Sequence, residues 1–249
     1  MGNKKILVGN WKAHIQNLMT VENRIEGINI LLAKSENIII CPPFLYLKML
    51  IDGIENDEIL IGSQNMPITE SEASTGEILA PMQADMGCRY AIIGHSEVRR
   101  NYKESDDIVA TKARIALEYG IIPVICIGES LEIRNSGQYL QFLTGQLIRS
   151  LPSVKGISNI RNIGNRMIIA YEPIWSIGTG NIPNVAQIEE VITTLKSLPE
   201  AKEYPFIYGG SVNEYNIEDI NFTYMLDGVL VGRASTDVNK LAIIRQLLD

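Results

Sequence analysis

Eight short apolar runs recur along the chain, and they constrain its fold more than any other feature. They are 6–8, 38–41, 59–61, 90–93, 123–127, 167–171, 206–208 and 229–231. Most are rich in Ile or Val and most end in Gly, Pro or Asn. Continuous apolar runs of this length, without polar alternation, mark strands buried on both faces, as in parallel sheets. Helical stretches lie between them. Val185, Ile188, Val191, Ile192 and Leu195 form one apolar stripe, with Asn184 and Gln187 placed as its cap. Ile108, Thr111, Ile115 and Tyr119 follow a similar period after Ser105-Asp106, and 138–151 and 237–248 read the same way. Parallel strands need crossovers of about a dozen residues or more. The expected fold is therefore α/β: a (β/α)8 barrel, eight parallel strands ringed by helices, as one domain over 1–249. An open doubly wound sheet ranks lower. The chain has no composition break, no Pro/Ser-rich linker and no Gly-x-Gly-x-x-Gly turn, since Gly178-Thr179-Gly180 runs into Asn-Ile-Pro.

Composition excludes several partner classes. The chain has 249 residues, 46% hydrophobic, with a net charge of −7. That acidity argues against nucleic acid or an anionic membrane surface. An anionic substrate would need a local positive site. Cys41, Cys88 and Cys126 are odd in number and lack metal-ligand spacing, so they read as buried free thiols of a cytoplasmic chain. The first residues carry no apolar leader, and no apolar stretch approaches the ~20 residues of a membrane span.

In such a barrel, chemistry gathers where strands end. Those ends offer Asn10 and Lys12 after the first strand, His95 after the fourth and Glu172 after the sixth. The seventh ends in Gly209-Gly210-Ser211 and the eighth in Gly232-Arg233, turns suited to closing backbone N–H groups on a phosphate. Glu172 tips the apolar run Met167–Tyr171, where an unpaired carboxylate is costly. A loop stiffened by Pro173 and loosened by Gly178 and Gly180 follows it, which suits a base exposed to substrate and then covered. Singly, each residue has a plainer reading: a solvated lysine, a core histidine, half of an ion pair, a tight turn. Their joint placement at successive strand ends outweighs those readings. Two connections are long. Gln64 to about Pro81 lies on the active face, and its Met66, Pro67 and Ile68 point to a partner surface. Leu151–Arg166 lies on the opposite face and reads as a surface insertion.

The segments Gly9-Asn10-Trp11-Lys12, Thr75-Gly76-Glu77, 92–97 (Ile-Ile-Gly-His-Ser-Glu), 124–129 (Val-Ile-Cys-Ile-Gly-Glu), Tyr171 through Gly180 and 208–212 (Tyr-Gly-Gly-Ser-Val) together resemble the triosephosphate isomerase family over essentially the whole chain. The resemblance implies a glycolytic and gluconeogenic enzyme that interconverts a three-carbon ketose phosphate and its aldose through an enediol. Glu172 would take the proton beside the carbonyl, and a neutral His95 would polarise the carbonyl and shuttle protons. Lys12 would offset the negative charge, Asn10 would orient the site, and Glu97 would be the buried carboxylate near the lysine. Gly178, Gly210, Ser211, Gly232 and Arg233 would hold the phosphate, chiefly through N–H groups. Pro173, Ile174, Trp175, Ser176, Ile177, Gly178, Thr179 and Gly180 would form a lid that excludes water. No metal or organic cofactor is implied. A homodimer is, with the loop around Thr75 inserting into a second copy.

The chain departs from the family pattern at several places. Gly232-Arg233 replaces a pair of glycines. Either backbone approach to the phosphate is altered there, or the N–H stays available while the guanidinium turns outward or towards an anion. Val98 takes the place of the first of two arginines after His-Ser-Glu, with loss of an ion pair behind the site. Ala13 and His14 replace commoner Met and Asn, and Ser74 stands where an aromatic is common. These departures leave two alternatives: an aldose–ketose isomerase for a tetrose phosphate, and a non-catalytic phosphate-binding barrel.

Overall fold

The computed structural model describes residues 5–153, 167–179, 181–221, 223 and 225–248. Gly180 and most of the 151–166 connection therefore lie outside the described residues. Within them the chain forms eight strands: β1 (Ile6–Asn10), β2 (Ile38–Cys41), β3 (Ile59–Ser63), β4 (Tyr90–Ile93), β5 (Ile122–Ile127), β6 (Ile168–Tyr171), β7 (Phe206–Tyr208) and β8 (Gly228–Val231). Each pairs in parallel with the next, and β8 pairs with β1, which closes the barrel. The ring outside holds α1 (Leu18–Leu31), α2 (Leu47–Gly53), α3 (Ala80–Met86), α4 (Ser96–Tyr102), α5 (Asp106–Glu118), α6 (Leu131–Asn135), α7 (Tyr139–Ser150), α8 (Val185–Lys196), α9 (Ile217–Asn221) and α10 (Val238–Leu248).

The apolar runs are continuous because the strands serve two cores. Val8, Ile39, Cys41, Ile92, Val124, Cys126, Ile168, Ala170, Ile207 and Leu230 pack together as one cluster. Residues of opposite parity, among them Leu7, Ile40, Ile93, Ile125, Ile169, Phe206 and Val229, pack with the helices. Alternate side chains point to opposite faces, so the first set fills the barrel and the second lies beneath the helical ring. All three cysteines are free and buried. The cap of α8 forms as expected: Gln187 N donates to Asn184 Oδ1 at 2.9 Å and Asn184 N to Gln187 Oε1 at 3.0 Å.

Two expectations need correction. Of the α5 stripe Ile115 is buried as expected, but the rest of the buried face lies one position further along. Thr111 and Tyr119 are exposed, and the buried face carries Val109, Lys112, Ala113 and Ala116. Lys112 is hidden from a hydrophobic-periodicity reading because it is charged. It is buried because Glu104 pairs with it and Asn65 Oδ1 accepts from its Nζ at 3.0 Å. Met66 and Pro67 are also buried within this chain, Met66 in the outer core, so only Ile68 of that trio faces outward. A loop can hide its own apolar residues when its foot is pinned, and the Lys112–Asn65 contact pins this one.

Candidate active site

Asn10, His95, Glu172, Gly209 and Gly232 stand at or just past the carboxyl ends of β1, β4, β6, β7 and β8, so barrel closure brings them to one face. Lys12 follows β1 in the left-handed region, at φ 47°. That conformation costs a non-glycine residue about 1–2 kcal/mol. Its neighbours hold it there. Lys12 N donates to Asn10 Oδ1 at 3.0 Å, and Lys12 O accepts from Gln64 Nε2 at 2.8 Å, which also donates to Cys41 O at 2.9 Å. Ser211, past β7, is the other site residue with a side chain at positive φ, 52°. Such strain concentrates where geometry serves a function.

Lys12 Nζ reaches Glu97 Oε1 at 2.7 Å. The pairing is as expected, but the Glu97 side chain is 39% exposed rather than buried. Burial works to raise the Glu97 carboxyl, yet the Lys12 hydrogen bond and the Lys12 charge chiefly outweigh it and hold it below its ordinary value.

His95 caps α4. Its Nδ1 accepts the Glu97 N–H at 3.2 Å. A ring nitrogen that accepts carries no proton, so a neutral imidazole keeps its proton on Nε2. Nε2 lies 3.5 Å from Glu172 Oε1. Both side chains are buried, at 4% and 3% exposure. Among the described residues Glu172 Oε2 has no hydrogen-bond partner. The Cys126 thiol lies against this carboxylate. Burial, then the Glu172 charge, pushes that thiol well above its ordinary value. A carboxylate held in so dry a place, facing an imidazole, can exchange a proton with a group bound between them.

Backbone behind Glu172 fits it closely. A Cβ on Gly209 would come 2.6 Å from Glu172 Cγ and 2.9 Å from Oε1. A Cβ on Gly210 would come 2.0 Å from the Tyr208 hydroxyl. Neither position takes a side chain unless the Glu172 or Tyr208 side chain moves.

The segment after Glu172 docks on the site. Ile174–Ser176 forms a 3-10 turn. Trp175 Nε1 donates to Glu129 Oε1 at 2.9 Å, and the Tyr171 hydroxyl shares that oxygen at 3.2 Å. Ser176 is buried, with its hydroxyl 3.3 Å from that of Tyr208. Ser211 Oγ accepts Gly178 N at 3.0 Å and donates to Ser176 O at 2.5 Å.

The expected site residues thus converge, apart from Thr75, which stands exposed on the Ser74–Glu77 turn, and Gly180. Behind β4, Arg99 donates to Gly94 O at 2.7 Å and pairs with Asp106 at 2.7 Å, bracing the turn that presents His95. Sequence reading missed Gln64, Cys126 as a neighbour of Glu172, and the Ser176–Tyr208 contact. Gln64 was the one with a signal, a polar residue directly after a buried strand.

Comparison with known proteins agrees with this geometry. The sequence model of the triosephosphate isomerase family matches residues 5–247. A triosephosphate isomerase of Synechococcus sp. (strain JA-3-3Ab) is 36% identical over 245 residues, covering 96% of this chain and 93% of the relative. One of Hahella chejuensis is 36% identical over 239 residues, covering 93% of each. The crystal structure of the triosephosphate isomerase of Bartonella henselae superposes with a TM-score of 0.84 at 31% identity, over 98% of both chains. With strand ends, barrel and whole-length likeness in agreement, this chain is a member of the triosephosphate isomerase family.

Proposed function

We propose that this chain interconverts dihydroxyacetone phosphate and D-glyceraldehyde 3-phosphate, the isomerisation step of glycolysis, through an enediol. The observation that carries the reading is the buried Glu172–His95 pair at 3.5 Å, with Lys12 on the same face. Glu172 removes the proton on the carbon beside the carbonyl. His95, donating through Nε2, polarises the carbonyl and then moves protons between the two oxygens. Lys12 offsets the charge of the enediolate and phosphate, while Asn10 and Glu97 hold Lys12 in place. The N–H groups of Gly178, Gly210, Ser211, Gly232 and Arg233 bind the phosphate. Residues 173–180 cover the intermediate, because an enediol phosphate open to water loses its phosphate. The chemistry requires a base and an electrophile.

Purified protein is expected to isomerise dihydroxyacetone phosphate in the range of typical enzymes, kcat of about 1–1000 per second, with little inorganic phosphate released. Turnover of erythrulose phosphate in preference would replace this reading with a tetrose phosphate isomerase. A folded protein inert to both would leave a phosphate-binding barrel.

The active form is proposed to be a homodimer in the cytoplasm. Leu18, Met19, Leu45, Ile68 and Met82 are exposed, Leu45 at 85%. The 64–79 loop and its exposed Thr75 suit insertion against the Asn10–Lys12 segment of a second copy. Sedimentation at micromolar concentration should give twice the 27.7 kDa chain mass. A monomer at that concentration with full activity would reject the dimer.

A further inference from the structure

The ladder between β4 and β5 ends at the pair Ile93–Ile125. β4 stops there, while β5 runs on to Ile127. Beyond that last pair the two strand ends carry the reacting groups: Gly94 leads into His95, and Ile127 O accepts the Glu172 N–H at 2.8 Å. Arg99, in the first turn of α4, bridges the gap. Its Nε donates to Gly94 O at 2.7 Å and its Nη2 to Cys126 O at 3.2 Å. Its backbone N–H donates to His95 O at 3.0 Å. One residue therefore holds the carbonyls on both sides of the His95 α-carbon. Gly94 itself stands at φ 71°, and a Cβ there would come 2.7 Å from Val109 Cγ2 and 3.1 Å from Arg99 Nη2, so this turn packs against the guanidinium. The guanidinium is anchored from behind. Nη1 donates to Asp106 Oδ1 at 2.7 Å and Nη2 to Ser150 Oγ at 3.1 Å, which ties it to α5 and α7. Asp106 pairs with Arg149 as well, at 2.9 Å.

We infer that Arg99 is a positioning residue of the isomerisation, whose fork spans Gly94 O and Cys126 O and so fixes His95 relative to the strand end that carries Glu172. The inference rests on the sugar-phosphate isomerase reading. A guanidinium presents five N–H groups in a rigid plane, whereas a lysine offers three from one point. Two carbonyls on different strands and a carboxylate on a helix need that plane. A lysine here can keep the Asp106 pair but cannot span the strand ends. The alignment at stake is the 3.5 Å approach of His95 Nε2 to Glu172 Oε1. The groups proposed to hold the phosphate lie on the cover and after β7 and β8, away from Arg99. Loosening its grip therefore acts on kcat rather than KM.

The test compares wild type with Arg99→Lys, Arg99→Gln and Asp106→Asn by steady-state kinetics with dihydroxyacetone phosphate, thermal melts and NMR of the histidine ring nitrogens. The chain has two histidines, so His95 is assigned by the signals lost in His95→Gln. Arg99→Lys should lower kcat by about 10- to 100-fold, leave KM within about threefold and shift the His95 ring signals. Arg99→Gln should lose at least as much kcat. It strands no carboxylate, since Asp106 keeps Arg149. Asp106→Asn weakens the ion pair but leaves both carbonyls held. It should lower the melting temperature, keep kcat within about threefold and leave the His95 signals in place. A folded Arg99→Lys or Arg99→Gln with kcat within about threefold of wild type would overturn the inference. So would equal kcat losses in Arg99→Lys and Asp106→Asn, which would make Arg99 a tie of the fold and nothing more. A wild type inert to dihydroxyacetone phosphate would defeat the isomerase reading, while the His95 signals would still decide whether Arg99 sets the ring.

Discussion

Shortening Glu172 to aspartate lowers kcat for dihydroxyacetone phosphate by about 100- to 1000-fold and changes KM by less than about threefold. The carboxylate keeps its charge but retreats by one methylene, about 1.5 Å. Misplacement of a reacting group by about 1 Å can cost about 100-fold, since the near-attack geometry is lost. Glu172→Gln removes the base altogether, and the general-base contribution of about 100- to 10,000-fold goes with it. Neither change should unfold the protein. Glu172 Oε2 is buried without a hydrogen-bond partner among the described residues, so replacing that oxygen breaks no hydrogen bond. Glu172→Gln should therefore melt at or above the wild-type temperature. Single-turnover kinetics and a thermal melt check both halves. An aspartate variant within tenfold of wild type would remove Glu172 from the role of base.

Gly209→Ala should produce a similar loss without touching a chemical group. The added methyl would stand 2.6 Å from Glu172 Cγ and 2.9 Å from Oε1, closer than side-chain carbons approach. What lies in its way is a side chain that can rotate. The fold therefore gives little, and the base swings out of line with His95. The expected result is kcat/KM down by about 100-fold or more, with a melting temperature within about 3 °C of wild type, roughly the shift from 1 kcal/mol in a chain this size. Gly128→Ala is the instructive contrast. There the methyl would meet the Glu172 carbonyl oxygen at 1.9 Å, and backbone must move. That variant should lose stability first. Wild-type rates in Gly209→Ala would show that Glu172 reacts from a different rotamer.

The barrel was legible because strand burial on two faces writes itself as continuous apolar runs, and those runs matched all eight strands to within two residues at each end. The placement of Asn10, Lys12, His95 and Glu172 was legible for a related reason: in a closed parallel barrel, the residue after each strand has one place to go. Three things were not legible. Lys112 lies on the buried face of α5 because Glu104, from outside that helix, neutralises it, and no periodicity along one helix contains that partner. Met66 and Pro67 are inside because a tertiary contact pins their loop, not because of any local pattern. The exposure of Arg233 follows from the 3-10 turn after β8, which Trp11 ties down from the far end of the chain and no local pattern announces.

The hydroxyl of Ser211 has one hydrogen, and Ser176 O takes it at 2.5 Å. The amide of Gly178 also has one, and it points at Ser211 Oγ. The Gly178 amide is among the groups proposed to hold the substrate phosphate, and the Ser211 hydroxyl stands on the same residue as another of them, the Ser211 amide. A phosphate arriving here cannot simply add contacts to an idle cradle. It must displace an internal pairing, so that each bond it gains from Gly178 or from the Ser211 hydroxyl is matched by one dissolved between the cover and the β7 loop. Substrate capture at this corner is thus an exchange of partners at nearly constant bond number. Its net favourability then falls to the negative charge of the incoming oxygen, which makes it a stronger acceptor than the neutral oxygens it replaces.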